Sequence, residues 1–131
     1  MKPAVQPADA AQIIKDWLKP AVTARFPDVA VRLEHDSAWE LGSDPELVIF
    51  NDPGPLDQWP VNTRPTIRVT SWTTGRDLQY IHTTLGLLLC SRIPGIANIL
   101  PGTAVLETRD SKTGADLASF TVRTRVRTIA L

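Results

Sequence analysis

The sequence predicts an α+β fold: a mostly antiparallel sheet with two main helices packed on one face. Residues 9–26 and 74–92 carry apolar side chains at three- and four-residue intervals, which is typical of amphipathic helices. Residues 65–73 and 117–129 instead alternate with a period of two, as strands do. A chain of 131 residues is long enough for a core, and we expect one domain over residues 1–131.

The first helix is predicted from Asp9, a residue type that caps helix N-termini. The two prolines of residues 1–7 predict a flexible arm before it. Pro20 falls inside the helical pattern, where it removes one backbone hydrogen bond, so the helix should either kink there or split in two. We expect Trp17 and Phe26 to lie in the core.

Two strands and a long loop follow. Residues 29–33 alternate, and the apolar run at residues 47–50 predicts a strand that is buried on both faces. The loop at residues 51–64 holds three prolines and a glycine. It is either a solvated excursion or an arm that contacts a partner through Leu56 and Trp59 and becomes ordered on that contact.

The centre of the chain reads as a strand, a turn and a helix over residues 65–92. Thr74 and Asp77 have the spacing of a capping box, which predicts the start of the second helix. Cys90 lies in the apolar part of this helix and is interpreted as a small core residue. Residues 93–102 are interrupted by proline and glycine and predict an irregular connection to a closing hairpin.

The return strand of this hairpin carries Arg123, Arg125 and Arg127 on one face, spaced about 6.8 Å apart by the strand geometry. These arginines could pair with acids on a neighbouring strand, contact acids on another subunit, or bind nucleic acid. The chain has 14 basic and 14 acidic residues, and a neutral chain has no general attraction for nucleic acid. We therefore list these three arginines, with Leu56 and Trp59, as candidates for a subunit or partner interface.

No catalytic, cofactor-binding or metal-binding set is predicted, and we expect that the protein is not an enzyme. His35 and His82 have no second ligand at metal spacing, and His35 beside Asp36 makes an oriented base only in principle. The single cysteine excludes an internal disulfide. The sequence shows no signal peptide and no apolar run long enough to span a membrane, so we expect a cytosolic protein with no membrane partner.

Three segments together resemble one family. They are PTIRVTSWTTGRDLQYIHTTLGLLL at residues 65–89, IPGIANILPG at residues 93–102 and RDSKTGADLASFTVRTRVR at residues 109–127. In this order they resemble the tail terminator proteins of long-tailed bacteriophages, particularly those that infect actinobacteria. The likeness covers most of the chain, although Pro20 and the NDPGP segment match no feature of the family.

The resemblance implies a structural, late-expressed virion protein with an α+β sheet and helices on one side. Such a protein forms a hexameric ring on the head-proximal end of the tail tube, stops tube polymerisation and provides the surface for head connector docking. Its implied partners are other copies of itself, the tail tube protein and the head connector or stopper protein. It is assembled in the host cytoplasm, resides in the tail or neck of the virion, and needs no cofactor and no specific nucleic acid.

Two other functions remain open. The chain could be another head–tail neck or joining protein, since neck proteins share this size and fold class. It could also be a cytoplasmic regulatory domain that binds nucleic acid through the arginine face, which salt-dependent DNA binding would indicate.

Overall fold

The computed structural model describes residues 3–52 and 54–131, which form two helices and nine strands. The helices are α1 (Ala10–Arg25) and α2 (Gln79–Leu89). The strands, in chain order, are β1 (Val5–Gln6), β2 (Ala30–Arg32), β3 (Glu46–Asp52), β4 (Asn62–Thr63), β5 (Thr66–Thr73), β6 (Ile96–Pro101), β7 (Leu106–Arg109), β8 (Asp116–Arg127) and β9 (Ile129–Ala130). The predicted α+β class with a mostly antiparallel sheet is confirmed.

One sheet contains seven strands in the order β2-β3-β5-β8-β4, with β6 and β7 also paired to β8. Only the β2–β3 pair is parallel among the described pairs. The long strand β8 is the organising element, since it pairs with β5 and β4 and also with β6 and β7. Strands β1 and β9 form a separate antiparallel pair.

Both helices pack against the same face of the large sheet, as the sequence predicts. Along β8, alternate residues from Ala118 to Val126 are buried, and the corresponding face of β5 buries Ile67, Val69 and Ser71. The helices add Ile14, Leu18, Val22, Ile81 and Leu88 to this core. The period of two in β5 and β8 thus leaves their opposite faces turned away from the helices.

The first helix begins as predicted, because the Asp9 carboxylate accepts a hydrogen bond from the Gln12 backbone N–H at 3.1 Å. It does not split at Pro20, which lies inside one continuous helix. Trp17 and Phe26 are only partly buried and pack on the edge of the core.

The predicted start of the second helix is wrong. Leu78 is its N-cap and provides no side-chain cap. The Thr74 hydroxyl instead accepts a hydrogen bond from the Gly42 N–H at 2.8 Å, and the Asp77 carboxylate accepts from the Gln79 N–H at 3.2 Å. Cys90, expected in the core, follows the last helical turn and is exposed.

Three further expectations are corrected by strand pairing. β3 is buried on one face only, with Phe50 53% exposed on the other. The connection at residues 93–102 contains β6, an ordered strand on the flank of β8. In the predicted N-terminal arm, Val5–Gln6 pair with Ile129–Ala130, while Met1 and Lys2 lie outside the described residues.

Candidate partner interface

The sheet has one face that no helix covers within the described part of the chain. The residues on it are those of β3, β5 and β8 that point away from the core, with their partners on β6 and β7. It exposes three large apolar side chains, Phe50, Leu100 and Leu106, at 53%, 46% and 60%. β5 and β8 lie between Phe50 and the two leucines, so these side chains are separate exposed groups on the face and not one continuous apolar patch.

Arg123, Arg125 and Arg127 lie on this uncovered face, in the C-terminal half of β8, and all three are exposed. We call them the arginine row. Among the residues that the structure describes, none of the three has a carboxylate at ion-pairing distance. Arg123 donates from Nε to the Pro101 carbonyl at 3.3 Å. The expected pairing with acids on a neighbouring strand is therefore absent from the described residues, and these guanidinium groups remain available to an outside partner.

The predicted loop at residues 51–64 lies beside the arginine row. Its first two residues continue β3, Asn62–Thr63 form β4, and Pro53 is outside the described residues. β4 pairs with the end of β8, placing Asn62 opposite Arg127. The loop is also held by Thr128, whose hydroxyl donates to the Pro60 carbonyl at 2.7 Å. The sequence predicts the loop and the arginines as separate features, and the β4–β8 pairing brings them together.

Leu56 and Trp59, the predicted anchors, are both exposed, at 62% and 41%. The Trp59–Pro60 peptide bond is cis. Two amide oxygens in the same loop, Gln58 Oε1 and Asn62 Oδ1, are buried without a hydrogen-bond partner among the described residues. An orphaned buried acceptor costs about 1–3 kcal/mol. A rearrangement that supplies donors to these oxygens would therefore be favourable.

The loop and the sheet enclose a cleft of about 240 Å³ between them. We call it the arginine cleft; its lining residues are Pro55, Arg64, Thr66, Asn98, Leu100, Arg123, Thr124 and Arg125. Arg64 is held by a two-pronged ion pair with Asp57. Arg123 and Arg125 add positive charge over an apolar Leu100 wall. Planar guanidinium groups bind carboxylates and phosphates through paired hydrogen bonds, so the cleft suits an anionic group.

A second polar cluster lies toward the other edge of the sheet, near β2, around the buried carboxylate of Glu46 on β3. Glu46 is 2% exposed, and its oxygens lie 2.8 Å from His35 Nδ1 and 3.3 Å from Arg32 Nε. The Asp36 N–H donates to the same carboxylate. The His35 ring stacks on Trp72 with the ring centres 3.6 Å apart. Glu46 is thus the side chain that orients His35. The sequence pointed to the adjacent Asp36 and gave no sign of Glu46.

A cleft of about 440 Å³ adjoins this cluster and is lined by Asp28, Asp36 and Asp44. We call these three residues the acidic edge. None of them is ion-paired within the described residues. Ser43 also lines the cleft, but its hydroxyl accepts from the Glu40 N–H at 3.1 Å and makes no recorded bond to His35.

Two carboxylates at the closing hairpin have lowered pKa values. Hydrogen bonds from the Thr113 hydroxyl and backbone lower the pKa of Asp110. The Arg76 guanidinium lowers the pKa of Glu107 by a direct hydrogen bond, with Arg76 Nε 2.6 Å from Glu107 Oε1. These groups tie the hairpin turn to itself and β7 to the segment before α2.

Within residues 3–52 and 54–131, no three histidine, cysteine, aspartate or glutamate side chains gather as metal ligands would. No helix in the described chain is long and apolar enough to cross a membrane. The fold and its surface thus define an α+β domain with helices on one face and an arginine-bearing, uncovered sheet face on the other. No protein-family model matches the chain, and no curated protein matches it either.

Proposed function

We propose that this protein is a structural virion protein that caps the head-proximal end of a phage tail tube as a ring. The cap ends tube polymerisation and presents the surface to which the head connector docks. The observation that carries the proposal is the uncovered sheet face, where three arginines have no ion-paired acid among the described residues. The loop that carries the exposed Leu56 and Trp59 joins the end of β8 through the β4–β8 pairing. The resemblance of residues 65–127 to tail terminators supplies the assignment of this face to a neck assembly.

The physical case rests on what a ring subunit needs. Contacts around a ring are head to tail, so each subunit must offer two different and complementary surfaces. A subunit that also binds a tube and a connector needs further exposed area. A sheet covered by helices on one side only leaves its other face available for such contacts. Arginine on that face and tryptophan on the adjoining loop are side-chain types that dominate binding energy.

The experiment is to add purified protein to tails that lack a cap and to measure how many become able to join heads. The test variant is Arg123→Glu/Arg125→Glu/Arg127→Glu. Its matched control is Lys19→Glu/Arg25→Glu/Lys112→Glu, which makes the same change in charge at exposed positions away from the uncovered face. We expect the control to support joining and the test variant to fail while keeping a native circular dichroism spectrum. Normal capping by the test variant would refute the role of this face.

The loop provides a second readout. We expect protease cleavage within residues 54–64 to slow when the protein assembles on a tail, because contacts at Leu56 and Trp59 would shield the loop. Unchanged cleavage would count against the loop as an anchor.

Two other functions predict different results. A different neck protein would assemble as a ring but would not stop tube growth. The arginine row has no ion-paired acid among the described residues, which also suits a regulatory nucleic-acid-binding domain. Such a domain would bind DNA with an affinity that falls steeply with salt.

A further inference from the structure

The charges of this neutral chain are separated across the sheet. Residues 28–46 hold six acids and one arginine, whereas residues 119–131 hold three arginines and no acid. The acidic segment surrounds β2, and the arginines lie on β8, with β3 and β5 between them. The two ends of the uncovered face therefore carry opposite charge.

Each end also has its charges unsatisfied within the described chain. The three side chains of the arginine row and the three of the acidic edge take part in no ion pair there. By contrast, Arg68 pairs with Asp52 at 3.5 Å in the middle of the sheet. The arginine row and the acidic edge lie on β8 and around β2, with β3 and β5 between them, and no ion pair joins the two sets among the described residues.

We propose that the arginine cleft and row of one copy receive the acidic edge of a second copy, so that copies join head to tail. Carboxylates of Asp28, Asp36 and Asp44 would meet guanidinium groups of Arg123, Arg125 and Arg127. This inference identifies the partner of the face described above, and it rests on the proposed ring for the head-to-tail arrangement.

A symmetric contact between two arginine rows is excluded by repulsion between like charges, as is one between two acidic edges. The contact therefore joins unlike ends. In an antiparallel pair both sets of ends would meet at once and growth would stop at a dimer, whereas copies joined head to tail each keep a free end and propagate around a ring or along a fibre. The head-to-tail arrangement is the one that the proposed ring needs, and wild-type protein that stops at a dimer would overturn it.

The test uses two purified variants and needs no tails. One variant, Arg123→Glu/Arg125→Glu/Arg127→Glu, loses the basic end and keeps the acidic edge. The other, Asp28→Asn/Asp36→Asn/Asp44→Asn, loses the acidic edge and keeps the basic end. Asparagine retains the ability of Asp36 to accept the Ala38 N–H, so the local turn is preserved.

Mass is measured by sedimentation over a range of concentration. We expect wild-type protein to associate beyond a dimer, and each variant alone to be monomeric, with association weakened about 100-fold or more for the arginine variant. Mixed at equal amounts, the two variants should form a 1:1 dimer that goes no further, because only one productive pair of ends exists in the mixture. Raising the salt concentration should dissociate it.

Other outcomes overturn the inference. Wild-type protein that stays monomeric at about 1 mM would have a dissociation constant for self-association weaker than about 1 mM, and the proposed contact would be refuted. Variants that associate alone as well as wild type, or a mixture that remains monomeric while both variants are folded, would show that other surfaces join the copies. Binding of the arginine row to DNA with no self-association would assign the row to nucleic acid. Correct self-association without capping of tails would refute the proposed function and leave this inference standing.

Discussion

Replacing Glu46 with alanine should destabilise the fold without touching the apolar core. The Glu46 carboxylate is almost fully buried and receives three groups, the Asp36 N–H, His35 Nδ1 and Arg32 Nε. All three belong to the segment that connects β2 to β3 or to β2 itself. The carboxylate therefore anchors this segment to the sheet, and its removal should loosen residues 32–46.

The size of the effect follows from what each partner loses. The Asp36 N–H is partly buried and would be left without an acceptor, at a cost of about 1–3 kcal/mol. Arg32 and His35 have side chains that are 47% and 29% exposed, so water replaces most of what they lose. Relief of the buried charge offsets part of this loss, and we expect a net decrease in the free energy of unfolding of about 2 kcal/mol.

Thermal unfolding followed by circular dichroism measures this decrease. For a chain of this size, about 2 kcal/mol corresponds to a fall in Tm of roughly 6–10 °C. The control is Glu40→Ala, which removes an exposed acid from the same segment and should change Tm by about 1 °C or less. Equal Tm values for Glu46→Ala and Glu40→Ala would refute the anchoring role of Glu46.

Three further outcomes are expected. Gly102→Ala should lower stability by about 1–3 kcal/mol in urea unfolding, because a Cβ there would collide with the Thr121 hydroxyl and carbonyl; Ala at the open Gly86 in α2 is the control, and equal effects would contradict the close approach. Thr113→Val should lower Tm at pH 7, since it removes the hydroxyl hydrogen bond that, together with the backbone N–H at the same position, lowers the pKa of Asp110. A carboxyl group whose pKa is lowered by folding stabilises the folded protein at pH values above its unfolded pKa. The difference in Tm between wild type and Thr113→Val should therefore shrink as the pH falls below about 4 and through the folded pKa. A difference in Tm that stays constant with pH would contradict this. The rate at which Cys90 reacts with a thiol reagent in the folded protein should be within about tenfold of its rate in urea, because the residue is exposed. Full protection in the folded protein would contradict this exposure.

The features that the sequence predicted correctly depend on neighbours in the chain. The cap of α1 joins Asp9 to a residue three positions on, and the burial pattern of β8 follows from its period of two. The arginine row was predictable for the same reason. The lack of an ion-paired acid beside it in the described part of the chain was not predictable, because it depends on which strands flank β8 and in what register.

The predictions that were wrong failed because residues far apart in the sequence make contacts that the local pattern does not show. Thr74 could cap α2 by spacing alone, but its hydroxyl is used by Gly42, 32 residues away. Residues 96–101 look irregular because they are bounded by Pro-Gly pairs, yet β8 supplies their hydrogen bonds and Pro101 ends the strand at its edge. The partner of His35 is 11 residues on, across a connection that carries no periodic signal.

The central position of β8 has a kinetic consequence. Its pairing with β5 joins residues such as Ser71 and Ala118, which are 47 positions apart, and Thr124 bonds to Pro65 across 59. Closing loops of this length must precede the gain from pairing, so folding should be slow for the size of the chain, in the millisecond-to-second range of β-rich domains. Until β8 docks, the flanking strands β4, β6 and β7 have no ladder to join, and the arginines do not yet share a face. The surface for partners therefore forms only when β8 docks, which keeps unfolded chains from joining an assembly.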